Sequence, residues 1–223
     1  AVVGIPKTID NDIPYVWRSF GYATAVERAR QVIDSAHNEA RSHFNGVGLV
    51  KLMGRDAGFI AAGATLASQE VNVTLVPEVP FRLRGDGGFV AALLERLEQR
   101  RHAVVVVAEG AGTDLVSGAQ ESGQRVDIGL LMAQEIRAYF RERQVPVDLK
   151  YLDPSYYIRG VTANTEDAFL CDQLARNAVH AAMAGKTGIV IGSWYNMMTH
   201  VPVTLCTGEK KRLVETSEIW QSV

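Results

Sequence analysis

The sequence predicts an α/β fold built on parallel sheet, and three observations carry that reading. Helical and strand patterns alternate from end to end, with no low-complexity linker and no repeat of fixed period. The run Ala103 to Ala108 is apolar at every position, so both of its faces need cover, as in a parallel sheet packed between helix layers. At 223 residues, with 47% hydrophobic and 22% charged positions, the chain can bury a sizeable core, which excludes disordered, collagen-like and coiled-coil classes.

The elements follow in order. Ser19 is placed as the N-cap of an amphipathic helix running to about Phe44, because Val26, Ala29, Ile33, Ala36 and Ala40 recur at three- and four-residue spacings. Gly46 and Gly48 punctuate its end. Val47 to Met53 then reads as a strand, Gly58 to Ser68 as a small-residue helix, Thr74 to Val76 as a short strand, and Gly88 to Arg101 as the helix before the apolar strand. Beyond a glycine-rich stretch from Gly110 to Gly123 come a helix from Asp127 to Arg143, a strand from Val147 to Leu152, and a long helix from Thr165 to Ala184 closed by Gly185. Strands at Gly188 to Gly192 and Val201 to Leu205 complete the pattern, followed by a charged turn at Glu209 to Arg212.

Charge and cysteine content narrow the function classes. With 23 basic against 25 acidic residues the net charge is -2, which argues against a nucleic-acid coat or a polybasic membrane anchor. The longest aliphatic run is far short of the roughly 20 residues that span a bilayer, so the chain reads as soluble and cytoplasmic. Cys171 and Cys206 are expected as buried free thiols of a reducing compartment. The opening Ala1-Val2-Val3-Gly4-Ile5-Pro6 starts as if inside a strand, and a piece of a longer chain is expected, with apolar surface that the remainder covers.

Some local strings imitate chemistry. Gly185-Lys186-Thr187 ends like a phosphate loop, but position 180 is His180 rather than glycine, and the triplet closes a helix instead of opening one. Gly110 and Gly112 begin like a dinucleotide fingerprint that lacks its third glycine, so a turn leaving a buried strand serves equally well. His37, His43, His102, His180 and His200 lack zinc spacing and are read as surface or satisfied core residues.

The run Pro6-Lys7-Thr8-Ile9-Asp10-Asn11-Asp12 is different. It places a cation, a hydroxyl, an amide and two carboxylates immediately after an apolar strand, where loops at strand carboxyl ends hold ligands in α/β sheets. Phosphoryl transfer needs such a set: one carboxylate to take the proton of an attacking hydroxyl, another to order the site or hold a metal, and a cation to offset phosphate charge. An Asx-rich turn accounts for the same composition, and spacing alone leaves both readings open.

The string resembles the PKTIDND motif of phosphofructokinases. Met53-Gly54-Arg55 is similar to that family's MGR sugar-phosphate segment, Pro77-Glu78 to its PE turn, and Glu109, in an AEG string, to its substrate-binding glutamate. Lys150, Tyr156 and Arg159 sit in KYLDPSYYIRG, which is similar to the YxxR substrate segment of the pyrophosphate-type and plant-like branches, and the match continues through TANTEDAFLCDQLARNAVHAAMAGKTG to cover essentially the whole chain. The resemblance implies a phosphofructokinase-like fold of two Rossmann-like three-layer domains with parallel-rich sheets, the first only partly present. Residues 1–20 are then the edge of the donor domain with the catalytic loop, 21–157 the fructose 6-phosphate domain, 158–212 the return to the donor domain, and 213–223 a C-terminal segment.

The activity implied is phosphoryl transfer to the 1-hydroxyl of fructose 6-phosphate, with Mg2+ and with ATP or pyrophosphate as donor, in a homodimer or homotetramer. Asp10 is then the general base. Asp12 orients the loop near the metal and is a candidate ligand, the main ligand being expected upstream of Ala1. Thr8 contacts the transferring group, with Ile9 beside it in the substrate set, and Arg55 offsets its charge. Glu109 accepts sugar hydroxyls, and Lys150, Tyr156 and Arg159 hold the 6-phosphate. Gly54 and Met53 belong to the same substrate-binding set, Met53 helping mainly through its backbone and being otherwise core filling, and Tyr157 is expected to pack in the core. Lys7 stands where bacterial ATP enzymes have glycine and is the donor-specificity position, but it does not name the donor. No arginine lies between Asn45 and Val50 to reach a neighbouring subunit, and the glycine-rich donor loops of the family are not in the sequence. ATP is favoured because the C-terminal third is most similar to the plant-like branch. A pyrophosphate enzyme, a non-catalytic sugar-phosphate-binding piece and, more distantly, a lipid kinase stay open.

Overall fold

The computed structural model describes residues 1–113, 115, 127–195 and 197–223. Seven strands and eight helices are followed here: β1 (Val3–Gly4), α1 (Tyr22–Ser42), β2 (Gly46–Leu52), α2 (Phe59–Ser68), β3 (Val73–Leu75), α3 (Phe89–Arg100), β4 (His102–Ala108), α4 (Ile128–Glu142), β5 (Asp148–Leu152), α5 (Ser155–Arg159), α6 (Thr165–Met183), β6 (Ile189–Trp194), β7 (Met197–Pro202), α7 (Val203–Cys206) and α8 (Glu218–Gln221). The glycine-rich stretch expected from Gly110 to Gly123 lies largely outside the described residues.

β2 to β5 form one parallel sheet in the order β3-β4-β2-β5. The apolar strand β4 lies inside it and feeds two cores alternately. Val104, Val106 and Ala108 join α1 and α2 on one face, while Ala103, Val105 and Val107 join α3 and α4 on the other. This is why the strand has no polar position: with period two, every residue faces a helix layer. The result is the expected three-layer arrangement. α1 approaches β2 closely, and a Cβ at Gly46 would lie 2.1 Å from the Ala40 carbonyl oxygen.

The second sheet has the order β1-β6-β7, with β1 parallel to β6 and β6 antiparallel to β7. α6 packs Leu170, Leu174 and Ala181 against Ile191 of this sheet. Gly185, with φ of +75°, ends α6, and the amides of Gly185 and Lys186 donate to the carbonyls of Ala182 and Ala181. The Gly-Lys-Thr string is therefore a helix cap. Among the described residues no helix is long and apolar enough to cross a membrane.

Four expectations are corrected. Ser19 is not the cap of α1: the helix starts after Gly21, at φ 105°, and its first amides are bound by Asp167 of α6. The last strand ends at Pro202, and Val203–Cys206 turns into a short helix, since proline cannot donate to a further ladder and its fixed φ suits a helix start. Cys171 and Cys206 are free but half-buried. Tyr157 is exposed rather than core, and its hydroxyl donates to Gln31 Oε1 of α1 at 3.2 Å. Of the histidines, buried His37 meets Glu70 through Nε2 at 3.3 Å but leaves Nδ1 without a partner.

The packing sets a stability expectation. Leu97→Ala, in the α3–α4 core at 0% exposure, should cost about 2–5 kcal/mol. Leu130→Ala, on the open face of α4 at 52% exposure, should stay within about 0.5 kcal/mol. Denaturant midpoints of the two variants in the full-length protein check this, and equal losses would refute the layer assignment.

Candidate functional site

The loops that leave the strands at their carboxyl ends carry the candidate residues. The Pro6–Asp12 loop follows β1, Met53–Asp56 follows β2, Glu109–Gly110 follows β4, and Asp153–Arg159 follows β5. This is the edge at which parallel sheets present ligand-binding groups.

Ser19 and Asn11 fold the first loop back on itself. Ser19 Oγ donates to the Thr8 carbonyl at 2.7 Å, and the Ser19 amide donates to Asn11 Oδ1 at 2.9 Å. Asn11 takes a left-handed backbone, φ 55°, which asparagine tolerates better than most residues. Thr8 Oγ1 accepts the Asp10 amide at 3.2 Å. The Asp10 side chain emerges with Oδ1 buried and without a hydrogen-bond partner. Its pKa is raised, first by burial, then by the negative charges of Asp12 and Glu109, while Lys210 works in the opposite direction.

The second loop depends on two glycines. Gly54 has φ +127°, and a Cβ at Gly110 would lie 1.8 Å from the Arg55 carbonyl oxygen, closer than any atom can come. The Gly110 amide donates to the Gly54 carbonyl at 3.2 Å, and the Glu109 amide to the Leu52 carbonyl at 2.8 Å. The β2 and β4 loops are thus zipped together, and Arg55 Nε comes to 3.7 Å from Glu109 Oε1 while its side chain stays 63% exposed. An exposed guanidinium at this distance is only loosely held by its neighbour.

Several residues not singled out by the sequence complete the site. Lys210 Nζ reaches Asp12 Oδ2 at 2.8 Å and Asp56 Oδ2 at 2.7 Å, and its bond holds the Asp56 carboxyl below the usual range. The Lys211 amide donates to the Asp12 carbonyl at 2.8 Å. Lys211 Nζ donates to the carbonyls of Val16 and Trp17, and burial pushes its ammonium down to about 8 against the pull of Asp12. Behind the β5 loop, Lys51 Nζ binds Asp127 and lies 2.8 Å from Asp153 Oδ2, while Tyr151 Oη donates to Asp127 Oδ1 at 3.0 Å. Burial pushes the Tyr151 phenol up to about 12. These bonds tie β2 to the segment carrying Tyr156 and Arg159.

The predicted residues divide accordingly. Asp10, Asp12, Arg55 and Glu109 come together, with Thr8 and Gly54 shaping the loops between them. Ile9 and Met53 pack against the α1–α2 core, the core-filling role expected of Met53. Tyr156 is 81% exposed, and Arg159 stacks over its ring, Cζ at 4.6 Å from the centroid, both at the carboxyl end of the same sheet. Lys7 is exposed next to Thr8 and is bridged through its backbone to Phe20. Lys150 is not brought to the group. It lies inside edge strand β5, and its Nζ binds Asp148 at 3.1 Å, because strand alternation points it along the sheet face with Asp148. Lys210 and Lys51 were legible only as charges in a turn and a strand; the run of adjacent cations Lys210 to Arg212 was the sole signal for the first.

With the fold and site in view, the comparisons with known proteins agree on one family. The family model described as Phosphofructokinase matches residues 1–182, and the chain belongs to that family. It is 46% identical over 228 aligned positions to ATP-dependent 6-phosphofructokinase 7 of Arabidopsis thaliana, covering 99% of this chain and 47% of the relative. It is 44% identical over 235 positions to the ATP-dependent 6-phosphofructokinase of Borreliella burgdorferi, covering 100% of this chain and 53% of the relative. Among solved structures, the pyrophosphate-dependent phosphofructokinase from Nitrosospira multiformis superposes with a TM-score of 0.76 at 20% identity, over 97% of this chain and 55% of that one, a likeness of fold. The chain spans about half the length of the curated relatives it matches.

Two outcomes are expected of this geometry. Gly110→Ala should part the β2 and β4 loops and lower the melting temperature of the full-length protein, and an unchanged melting temperature would refute the zipper. The second concerns acid stability. Burial tends to raise the pKa of Asp127 and Asp153, but the bonds from Lys51 and from the neighbouring Leu130 and Ser155 outweigh it and both carboxyls are lowered. Their contribution is therefore full above the ordinary carboxylate range and is lost as pH falls through the lowered folded values. In Lys51→Met the fall in melting temperature between about pH 5 and about pH 3 should be shallower than in the parent protein; equal falls would remove the bridge from the acid response.

Proposed function

We propose that the chain is the acceptor-side and catalytic part of an ATP-dependent 6-phosphofructokinase, transferring the terminal phosphoryl group of ATP to the 1-hydroxyl of fructose 6-phosphate in glycolysis. The observation that carries the reading is Asp10: a half-buried carboxylate with one buried oxygen unpartnered and a raised proton affinity, close enough to Glu109, which the exposed Arg55 approaches, to feel its charge. A base of this kind is suited to accept a proton that a new bond releases.

The sugar's 1-hydroxyl oxygen forms the bond to the terminal phosphorus, the bond to the leaving diphosphate oxygen breaks, and the hydroxyl proton passes to the Asp10 carboxylate. Arg55 is free to swing from Glu109 and offset charge spread over the transferring group. Glu109 accepts sugar hydroxyls, and Arg159 and Tyr156 hold the 6-phosphate through charge-assisted bonds. Thr8 contacts the transferring group, and Lys7 is the donor-specificity position. ATP as donor is supported by the names of the relatives at 44–46% identity.

The resemblance also implies Mg2+. The residues described here do not build a site for it: Asp12 already carries the Lys210 ammonium on Oδ2, and among the described residues no group of three or more His, Cys, Asp or Glu side chains is disposed to hold a metal. The chain's own chemistry is binding the acceptor and moving its proton. The division of the chain into a donor-domain edge at 1–20, a sugar-phosphate domain at 21–157, a return at 158–212 and a C-terminal segment, and assembly as a homodimer or homotetramer, belong to the same proposal.

In the full-length protein, Asp10→Asn should lower turnover by about 10²–10⁴-fold with the fructose 6-phosphate KM little changed. Near-normal turnover would overturn the base assignment. Arg159→Ala should instead raise that KM by at least about tenfold. Paired assays with Mg-ATP and Mg-pyrophosphate decide the donor, and turnover with pyrophosphate alone would reverse the ATP reading.

A further inference from the structure

The acidic side of the site has a cation that the motif does not supply. Asp10, Asp12, Asp56 and Glu109 act on one another closely enough that all three others bear on the proton affinity of Asp10. Asp12 comes from the loop after β1, on the three-stranded sheet, and Asp56 from the loop after β2, on the four-stranded sheet. Lys210 Nζ stands between them at 2.8 Å and 2.7 Å.

The backbone around Lys210 is fastened on the residues that follow it. The Lys211 amide is bound to the Asp12 carbonyl at 2.8 Å, Lys211 Nζ to the Val16 and Trp17 carbonyls, and the Leu213 amide to Glu78 Oε1 at 2.9 Å. Glu78 in turn accepts the Gly58 amide at the start of α2. The strand-like strap 210–213 therefore crosses from the first loop to the second and delivers its lysine already oriented.

An exposed lysine paired with one carboxylate contributes little. Lys210 is 54% exposed, but Asp12 is only 11% exposed, and the two carboxylates lie on loops of different sheets. Without the ammonium these loops would face each other with like charge. We propose that Lys210 is a positioning residue for phosphoryl transfer, its ammonium holding Asp12 and Asp56 together and so fixing the Pro6–Asp12 loop, which carries Asp10, against the Met53–Asp56 loop, which carries Arg55. The role differs from that of the sugar-phosphate grip, which Tyr156 and Arg159 supply from α5.

This inference rests on the phosphoryl-transfer reading, and the test separates the two. In the full-length protein, Lys210→Met should lower kcat by about tenfold to a hundredfold, as a small misplacement of reacting groups does, with the fructose 6-phosphate KM within about threefold. Lys210→Arg, whose fork can also span two carboxylates, should recover most of kcat. Asp56→Asn should lower kcat comparably, and the Lys210→Met, Asp56→Asn pair should fall no further than the worse single variant. A Lys210→Met kcat within twofold of the parent, a raised KM at unchanged kcat, no recovery with arginine, or additive losses in the pair would each overturn the proposal. Asp10→Asn run alongside reports on the reading beneath it: if Asp10→Asn stays active, the phosphoryl-transfer reading fails; if it is inactive while Lys210→Met is normal, only the Lys210 inference fails.

Discussion

The buried carboxylate of Asp167 is the interaction on which the rest of the arrangement depends. It is wholly excluded from solvent, and it accepts hydrogen bonds from the amides of Gly21 and Thr24 and from Thr24 Oγ1. α1 has no cap of its own, and its unsatisfied amides together with the positive end of its dipole are met by a charge from α6. α1 belongs to the four-stranded layers and α6 to the three-stranded sheet, so one ion-to-helix contact fastens the two bodies. A buried charge left without these donors would be strongly unfavourable, which makes the geometry of the junction narrow.

That junction matters because the candidate site is shared. Asp10 and Asp12 hang from the small sheet, and Arg55, Asp56 and Glu109 from the large one. Each set is locally rigid: Ser19 and Asn11 hold the first loop, and the close passage of Gly110 under Arg55 holds the second. Neither loop alone carries all the carboxylates whose charge bears on Asp10. The ring contacts of Trp17 with Trp194 and Tyr195, at 5.9 and 6.0 Å between centroids, tie the segment after the first loop to the end of β6.

Much of this was legible from sequence where the cause is local. The unbroken apolar run of β4 announced two helix layers, and the helix periods of α1, α3 and α4 were placed to within a few residues. The seven residues from Pro6 to Asp12 and the strings around Arg55, Glu109 and Tyr156 advertised a site because the chemistry is contiguous there. What was not legible depends on partners distant along the chain. Ser19 has the right chemistry for a cap, yet Asp167 takes that task and frees Ser19 to brace Thr8 and Asn11. Lys210 carries no local mark that distinguishes it from any charged turn. Lys150 shows the converse: it shares a string with Tyr156 and Arg159, but two-residue alternation in β5 turns it onto Asp148.

The pairing of β1 has a consequence for how the molecule is made. Val3 and Gly4 find their parallel partners only at Ile189 and Val190, nearly the full length of the described chain away. Every contact of the large sheet can close while the chain is still short, whereas the small sheet must wait for its last third, and with it the docking of Asp167. The β1–β6 pairing cannot form before Ile189 and Val190 have been made. The Lys210 bridge between the first loop and the Met53–Asp56 loop is therefore among the last contacts of the described chain that can close.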